Sequence, residues 1–177
     1  SGKVTDTWYR EVNDTGESDV PAVTDYDLLP SEGKNGRTYM YYNGEHAPSY
    51  PFGYGLSYTT FEYSNLSVSS KRVRPDEAVE VAFDITNTGK YKGDEVVQLY
   101  IADPQASVDR PAKELKGFEK VWLNPGESKK VSFTIDASAL SYYDMSRSAW
   151  YAEPGEFQAL LGSTSSDIRA NVTFTLK

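Results

Sequence analysis

Cysteine is absent from this 177-residue chain, and histidine occurs only once. The first absence removes thiol nucleophiles, cysteine-based metal sites and a disulfide framework together. A chain of this length can bury a core without covalent staples. The absence leaves the compartment open, with a secreted or periplasmic one favoured. With one histidine, a Ser-His-Asp triad or an imidazole metal centre would rest on His46 alone. His46 lies in the loop-like run Gly44-Glu-His-Ala-Pro48, where a lone histidine is more often a surface residue than a catalyst.

Positive charge is also in short supply: 18 Lys and Arg stand against 26 Asp and Glu, for a net charge of −8. Neither a nucleic-acid backbone nor an anionic membrane surface is an expected partner. The one short basic run, Lys71, Arg72 and Arg74, reads as a solvated turn. No apolar run approaches the length that crosses a membrane, and no signal peptide opens the sequence. The start at Ser1-Gly2-Lys3 suggests a fragment, a processed chain or an excised domain. Hydrophobic residues make up 38% and charged residues 25%, the balance of an ordinary globular protein, so wholesale disorder is not expected.

Two regions differ in texture. Residues 1–60 hold no sustained period and are dense in Tyr, Gly, Pro and acidic residues. One short strand is expected over Arg37–Tyr42, before the turn signal Asn43-Gly44. So little Leu, Ile and Val cannot offset the entropy of ordering the segment. It is therefore expected to pack onto another body. From Phe61 onward apolar and polar residues alternate: Val79, Val81, Phe83 and Ile85; Val97, Leu99 and Ile101; Val131, Phe133 and Ile135; Phe157, Ala159 and Leu161; and, less cleanly, Ala170, Val172, Phe174 and Leu176. Phe61–Ser70 and Glu114–Leu123 add two strands. Turn chemistry bounds them at Asn87-Thr88-Gly89, Asp103-Pro104, Asn124-Pro125-Gly126 and Glu153-Pro154-Gly155. About seven short strands without an amphipathic helix predict an antiparallel two-sheet sandwich of the immunoglobulin or fibronectin type III kind.

Several phrases carry a resemblance. Tyr50-Pro-Phe-Gly-Tyr-Gly-Leu-Ser-Tyr-Thr-Thr-Phe61 resembles the join between the second sugar-processing domain of glycoside hydrolase family 3 enzymes and their C-terminal sandwich. Asp84-Ile-Thr-Asn-Thr-Gly89, Gly93-Asp-Glu-Val-Val-Gln-Leu-Tyr-Ile101 and Arg110-Pro-Ala-Lys-Glu-Leu-Lys-Gly-Phe118 resemble the fibronectin type III-like domain of those enzymes. So do Leu123-Asn-Pro-Gly-Glu127, Tyr143-Asp144 with Trp150, and Glu153-Pro-Gly-Glu-Phe157. Upstream, Ser1-Gly-Lys-Val-Thr-Asp-Thr-Trp8 and Gly36-Arg-Thr-Tyr-Met-Tyr-Tyr-Asn-Gly44 resemble the end of the α/β sandwich domain. The resemblance implies that residues 1–60 are the tail of that α/β domain plus a linker, and that residues 61–177 are the sandwich. It further implies a β-glucosidase or β-xylosidase parent whose remaining catalytic domains are the partner and make the contact with oligosaccharide. Gly53 and Gly55, alternating with Phe52, Tyr54 and Leu56, would let the backbone lie against a surface while aromatics anchor it.

Retaining glycosidases need two carboxylates about 5–5.5 Å apart, and the resemblance puts both outside this chain. Asp25 and Asp27 form the obvious local pair, but acidic residues beside Tyr26 and Pro30 read as loop solvation. Asp94 and Glu95 could join a calcium-type oxygen cluster, yet no EF-hand spacing occurs. Aromatics able to stack on sugars are Trp8, Tyr39, Tyr41 and Tyr42, then Trp122, Tyr142, Tyr143 and Trp150. A core or interface role is the simpler reading for those on strands, and Tyr143 with Trp150 would staple a hairpin around Ser146-Arg147-Ser148. Asn13, Asn65 and Asn171 sit in Asn-X-Ser/Thr triplets. No catalytic, substrate-binding or metal-ligating residue is assigned, and no cofactor. A carbohydrate-binding module and an adhesion-type module are the alternatives to an enzyme scaffold. The first would need an exposed aromatic row, whereas the outward strand positions read as mostly Glu, Asp, Lys, Thr and Ser.

Overall fold

The computed structural model describes residues 48–177, and Phe52–Lys177 form one compact unit. The expected strand over Arg37–Tyr42 lies outside the described residues, as do Trp8, Asn13, Asp25, Asp27, Tyr39, Tyr41, Tyr42 and His46.

Ten strands follow in order: β1 (Phe61–Val68), β2 (Arg72–Val73), β3 (Val79–Asn87), β4 (Gly93–Ala102), β5 (Glu114–Leu123), β6 (Ser128–Ile135), β7 (Tyr142–Asp144), β8 (Ala149–Tyr151), β9 (Gly155–Gly162) and β10 (Ile168–Leu176). One short helix, α1 (Ala137–Leu140), links β6 to β7. A three-stranded sheet runs β1-β3-β6, and a five-stranded sheet runs β2-β10-β9-β4-β5. Among the described residues the fold is thus an antiparallel β-sandwich, with β2 running parallel to β10.

Alternation builds the core. On β3, Val79, Val81, Phe83 and Ile85 are buried; on the opposing sheet Val97, Leu99, Ile101, Val121, Phe157, Leu161 and Phe174 meet them. Each such side chain contributes about 1.5–3 kcal/mol when fully buried. Tyr63 stacks on Phe83 at 5.6 Å between ring centroids, and Phe83 on Phe133 at 6.4 Å. These rings bind β1, β3 and β6 into one sheet face. Arg110, with a side chain only 6% exposed, ties the connections together. Its guanidinium donates to Asp103 Oδ2 at 3.1 Å, to the Leu140 carbonyl at 3.0 Å and to Glu114 Oε1 at 2.8 Å.

Two details differ from what the sequence leads one to expect. Arg72 does not sit in a plain turn: with Val73 it forms β2, pairing with Thr175 and Leu176 of β10, while Lys71 and Arg74 are exposed. A two-residue strand is too short for alternation to register. The outward face of β4 and β5 is less polar than expected. Gln98, Tyr100 and Ala102 are buried there, and Phe118 and Trp122 are exposed, Trp122 at 62%. The β7–β8 hairpin does form around Ser146-Arg147-Ser148, with Tyr143 opposite Trp150 and the two rings edge to face at 5.8 Å. Both of those rings are exposed, so they staple the hairpin without entering the core.

Candidate functional site

The segment Phe52–Thr60 precedes β1 and lies along the sandwich without helix or strand of its own. Gly53 and Thr59 meet the sheets. Gly53 adopts φ +83°, and a methyl group there would collide with the Gln98 side-chain amide. Thr59 Oγ1 donates to Asn87 Oδ1 at 2.6 Å. Its Cγ2 sits where a side chain on Gly93 would need to be. The even-numbered Phe52, Leu56 and Tyr58 are turned to solvent, Leu56 at 90% and Tyr58 at 96% exposure. Close backbone approach was therefore expected correctly at Gly53, whereas Gly55 has open space around it. Phe52 and Tyr58 face away from the sandwich.

Asn87 is the hub that holds this segment. It is fully buried at the end of β3. Its amide nitrogen donates to the carbonyls of Tyr91 at 2.8 Å and Leu123 at 3.0 Å. Its carbonyl oxygen accepts from Thr59 and from the Gly89 amide at 3.0 Å. All four of its hydrogen-bonding positions are filled. The sequence marked Asn87-Thr88-Gly89 only as a turn, since a turn residue and a buried hub look alike in one chain.

A groove of about 680 Å³ opens between the lead segment and the ends of β1, β4 and β10. Glu95, with a side chain 13% exposed, sits on its wall. One carboxylate oxygen accepts from the Tyr63 hydroxyl at 3.1 Å, and Arg169 lies 3.7 Å from it. The Arg169 guanidinium gives three of its five N–H groups to Asp167 Oδ2 at 2.9–3.0 Å and the Phe61 carbonyl at 3.1 Å. Burial raises the Glu95 carboxyl above the usual carboxylate range, although the Tyr63 hydrogen bond and the Arg169 charge pull the other way. Asp94, one residue earlier, pairs with Lys120, whose ammonium also lies 5.2 Å from the centre of the Trp122 ring. Among the described residues no group of three or more His, Cys, Asp or Glu could hold a metal ion. Asp94 and Glu95 are thus wall residues of a groove. Arg169 and Tyr63 went unnoticed in the sequence, because β10 alternates poorly and Tyr63 reads as one more strand aromatic. Asn65 lies in β1 at φ +54°, where the β1–β3 register slips, and donates to Asp84. Asn171 is exposed on β10.

Comparison with known proteins gives these features a family. Residues 95–165 match the fibronectin type III-like domain. The chain is 51% identical over 127 residues to a β-glucosidase of Bacteroides ovatus, covering 72% of this chain and 17% of that protein. It is 45% identical over 152 residues to a putative β-xylosidase of Formosa agariphila, covering 86% of this chain and 19% of that one. Among solved structures, the family 3 β-glucosidase of Bifidobacterium adolescentis superposes with a TM-score of 0.73 at 38% identity, over 80% of this chain and 21% of the other. The chain therefore spans under a quarter of each of these relatives. It belongs to glycoside hydrolase family 3, as the portion that carries the fibronectin type III-like domain.

Proposed function

We propose that this chain is the non-catalytic scaffold part of a retaining, exo-acting β-glycosidase, a β-glucosidase or β-xylosidase that removes terminal β-linked sugars. The observation that carries the reading is the division of the Phe52–Thr60 segment. Gly53 and Thr59 meet the sandwich, while Phe52, Leu56 and Tyr58 offer an exposed apolar side. Consecutive large apolar groups held in water raise the free energy of the isolated chain and are relieved by a partner surface. On this reading the partner is the catalytic part of the same enzyme. Residues 1–60 form the end of its α/β domain with a linker, and residues 61–177 form the sandwich. Oligosaccharide is met through the catalytic part, which supplies both carboxylates.

Two measurements test this. The purified 177-residue chain is expected to leave aryl β-glucosides and β-xylosides unhydrolysed; turnover that rises in proportion to chain concentration would overturn the proposal. In the longer enzyme, Leu56→Ser with Tyr58→Ser is expected to lower the melting temperature, whereas in the isolated chain the same pair is expected to change it little.

A further inference from the structure

The groove beside Glu95 has a chemistry that the scaffold reading does not use. Its wall mixes acceptors, Glu95 and the Lys120-paired Asp94, with a guanidinium donor on Arg169 and with two half-used hydroxyls: Ser163 donates to Asp167 and can still accept, and Thr164 accepts the amides of Ser166 and Asp167 and can still donate. Leu56 and Val96 add an aliphatic flank. Acceptors and donors set side by side next to an apolar strip match a pyranose, whose ring carries hydroxyls around its edge and C–H groups on its faces. An ammonium ion would need acceptors alone, and an apolar peptide would leave these polar groups desolvated. We propose that this groove binds neutral sugar, one or two pyranose units of an oligosaccharide, with Glu95 and Arg169 as the paired acceptor and donor for neighbouring hydroxyls.

The geometry of Glu95 supports a ligand that donates hydrogen bonds. The carboxylate is largely withdrawn from water, and its nearest cation, Arg169, stands 3.7 Å away with three of its five N–H groups given to Asp167 and the Phe61 carbonyl and two left for a ligand. Burial without full compensation keeps the carboxyl above its ordinary range. A sugar hydroxyl donating to it would replace part of the lost solvation. The site shares Leu56 with the docking side, but its polar groups lie on β4 and β10 and in the loop before β10, so a failed sugar titration and a failed melting test remain distinguishable.

The test is a titration of the isotope-labelled 177-residue chain with cellobiose and with xylobiose, followed by amide chemical shifts. Saturating shifts at Glu95, Ser163, Thr164 and Arg169 are expected, with a dissociation constant on the order of 1–10 mM. Glu95→Gln and Arg169→Met are each expected to weaken binding about tenfold. Asp94→Asn gives a second reading if either of those variants fails to fold. Trp150→Ala, on the β7–β8 hairpin, is expected to leave binding unchanged. The proposal is overturned by shifts that never saturate with either disaccharide. It also fails if the shifts centre on Phe118 and Trp122, or if methylammonium displaces the sugar from Glu95.

Discussion

At the scale of single residues, two polar groups carry opposite signs of the same physics. Asn87 is buried with every hydrogen bond made, so Asn87→Ala removes the side-chain partner of the Tyr91 and Leu123 carbonyls, the Gly89 amide and the Thr59 hydroxyl at once. We expect a loss of about 2–4 kcal/mol of stability, seen as a lower urea midpoint at unchanged slope. Glu114 and Glu95 respond to acid in contrary ways. Burial alone would raise Glu114, but hydrogen bonds from Lys116 and Arg110 outweigh it and hold the carboxyl below its ordinary value. Its contribution is complete above the unfolded carboxylate value, about 4.3, and is lost as pH falls through the lower folded value. Glu95 is raised, so its cost is absent in acid and sets in as pH climbs from the unfolded value through the folded one. Glu95→Gln is therefore expected to raise the urea midpoint at neutral pH and to leave it unchanged below about pH 4. Equal effects at both pH values would show that burial of the charge is not what Glu95 contributes.

Among the elements, the lead segment is the most informative. Gly53 combines a left-handed φ with contact against Gln98, so Gly53→Ala adds both backbone strain and a clash, about 1–3 kcal/mol in all. The damage is expected to stay local. The Ser165 amide, which donates to the Phe52 carbonyl at 2.9 Å, should exchange its hydrogen faster, while core amides of β3 and β9 keep their rates. Accelerated exchange throughout the sheets would mean that the segment is part of the global core. The strands themselves were legible because a half-buried strand repeats every two residues: β3, β4, β6 and β9 stand where alternation put them, and the added strand β5 keeps its expected bounds from Glu114 to Leu123. The two-residue β2 and the four-residue α1 lay below the length at which a period can be counted.

For the whole molecule, what alternation could not convey was which outward faces are covered. A strand position pointing away from the core reads as solvent, so Gln98 and Tyr100 passed as surface, although both are buried and the Tyr100 hydroxyl donates to the Gln98 carbonyl oxygen. Conversely, Trp122 read as a core or interface ring and stands exposed at 62%. The groove followed the same rule. Glu95, Tyr63 and Arg169 come from β4, β1 and β10, more than 30 residues apart at the nearest, and only the stacking of two sheets brings them together. Periodicity reports on one strand at a time; a site assembled from three strands has no period.

The contacts that fasten the lead segment are strung out along it: the Phe52 carbonyl to Ser165, then Gly53 to Gln98, then Thr59 to Asn87. Tension applied ahead of Phe52 would meet them one after another, as when tape is peeled, and never as a set sheared at once. Pulling on Phe52 is therefore expected to unzip this segment at lower force than it takes to part the two sheets, an order that single-molecule extension would read.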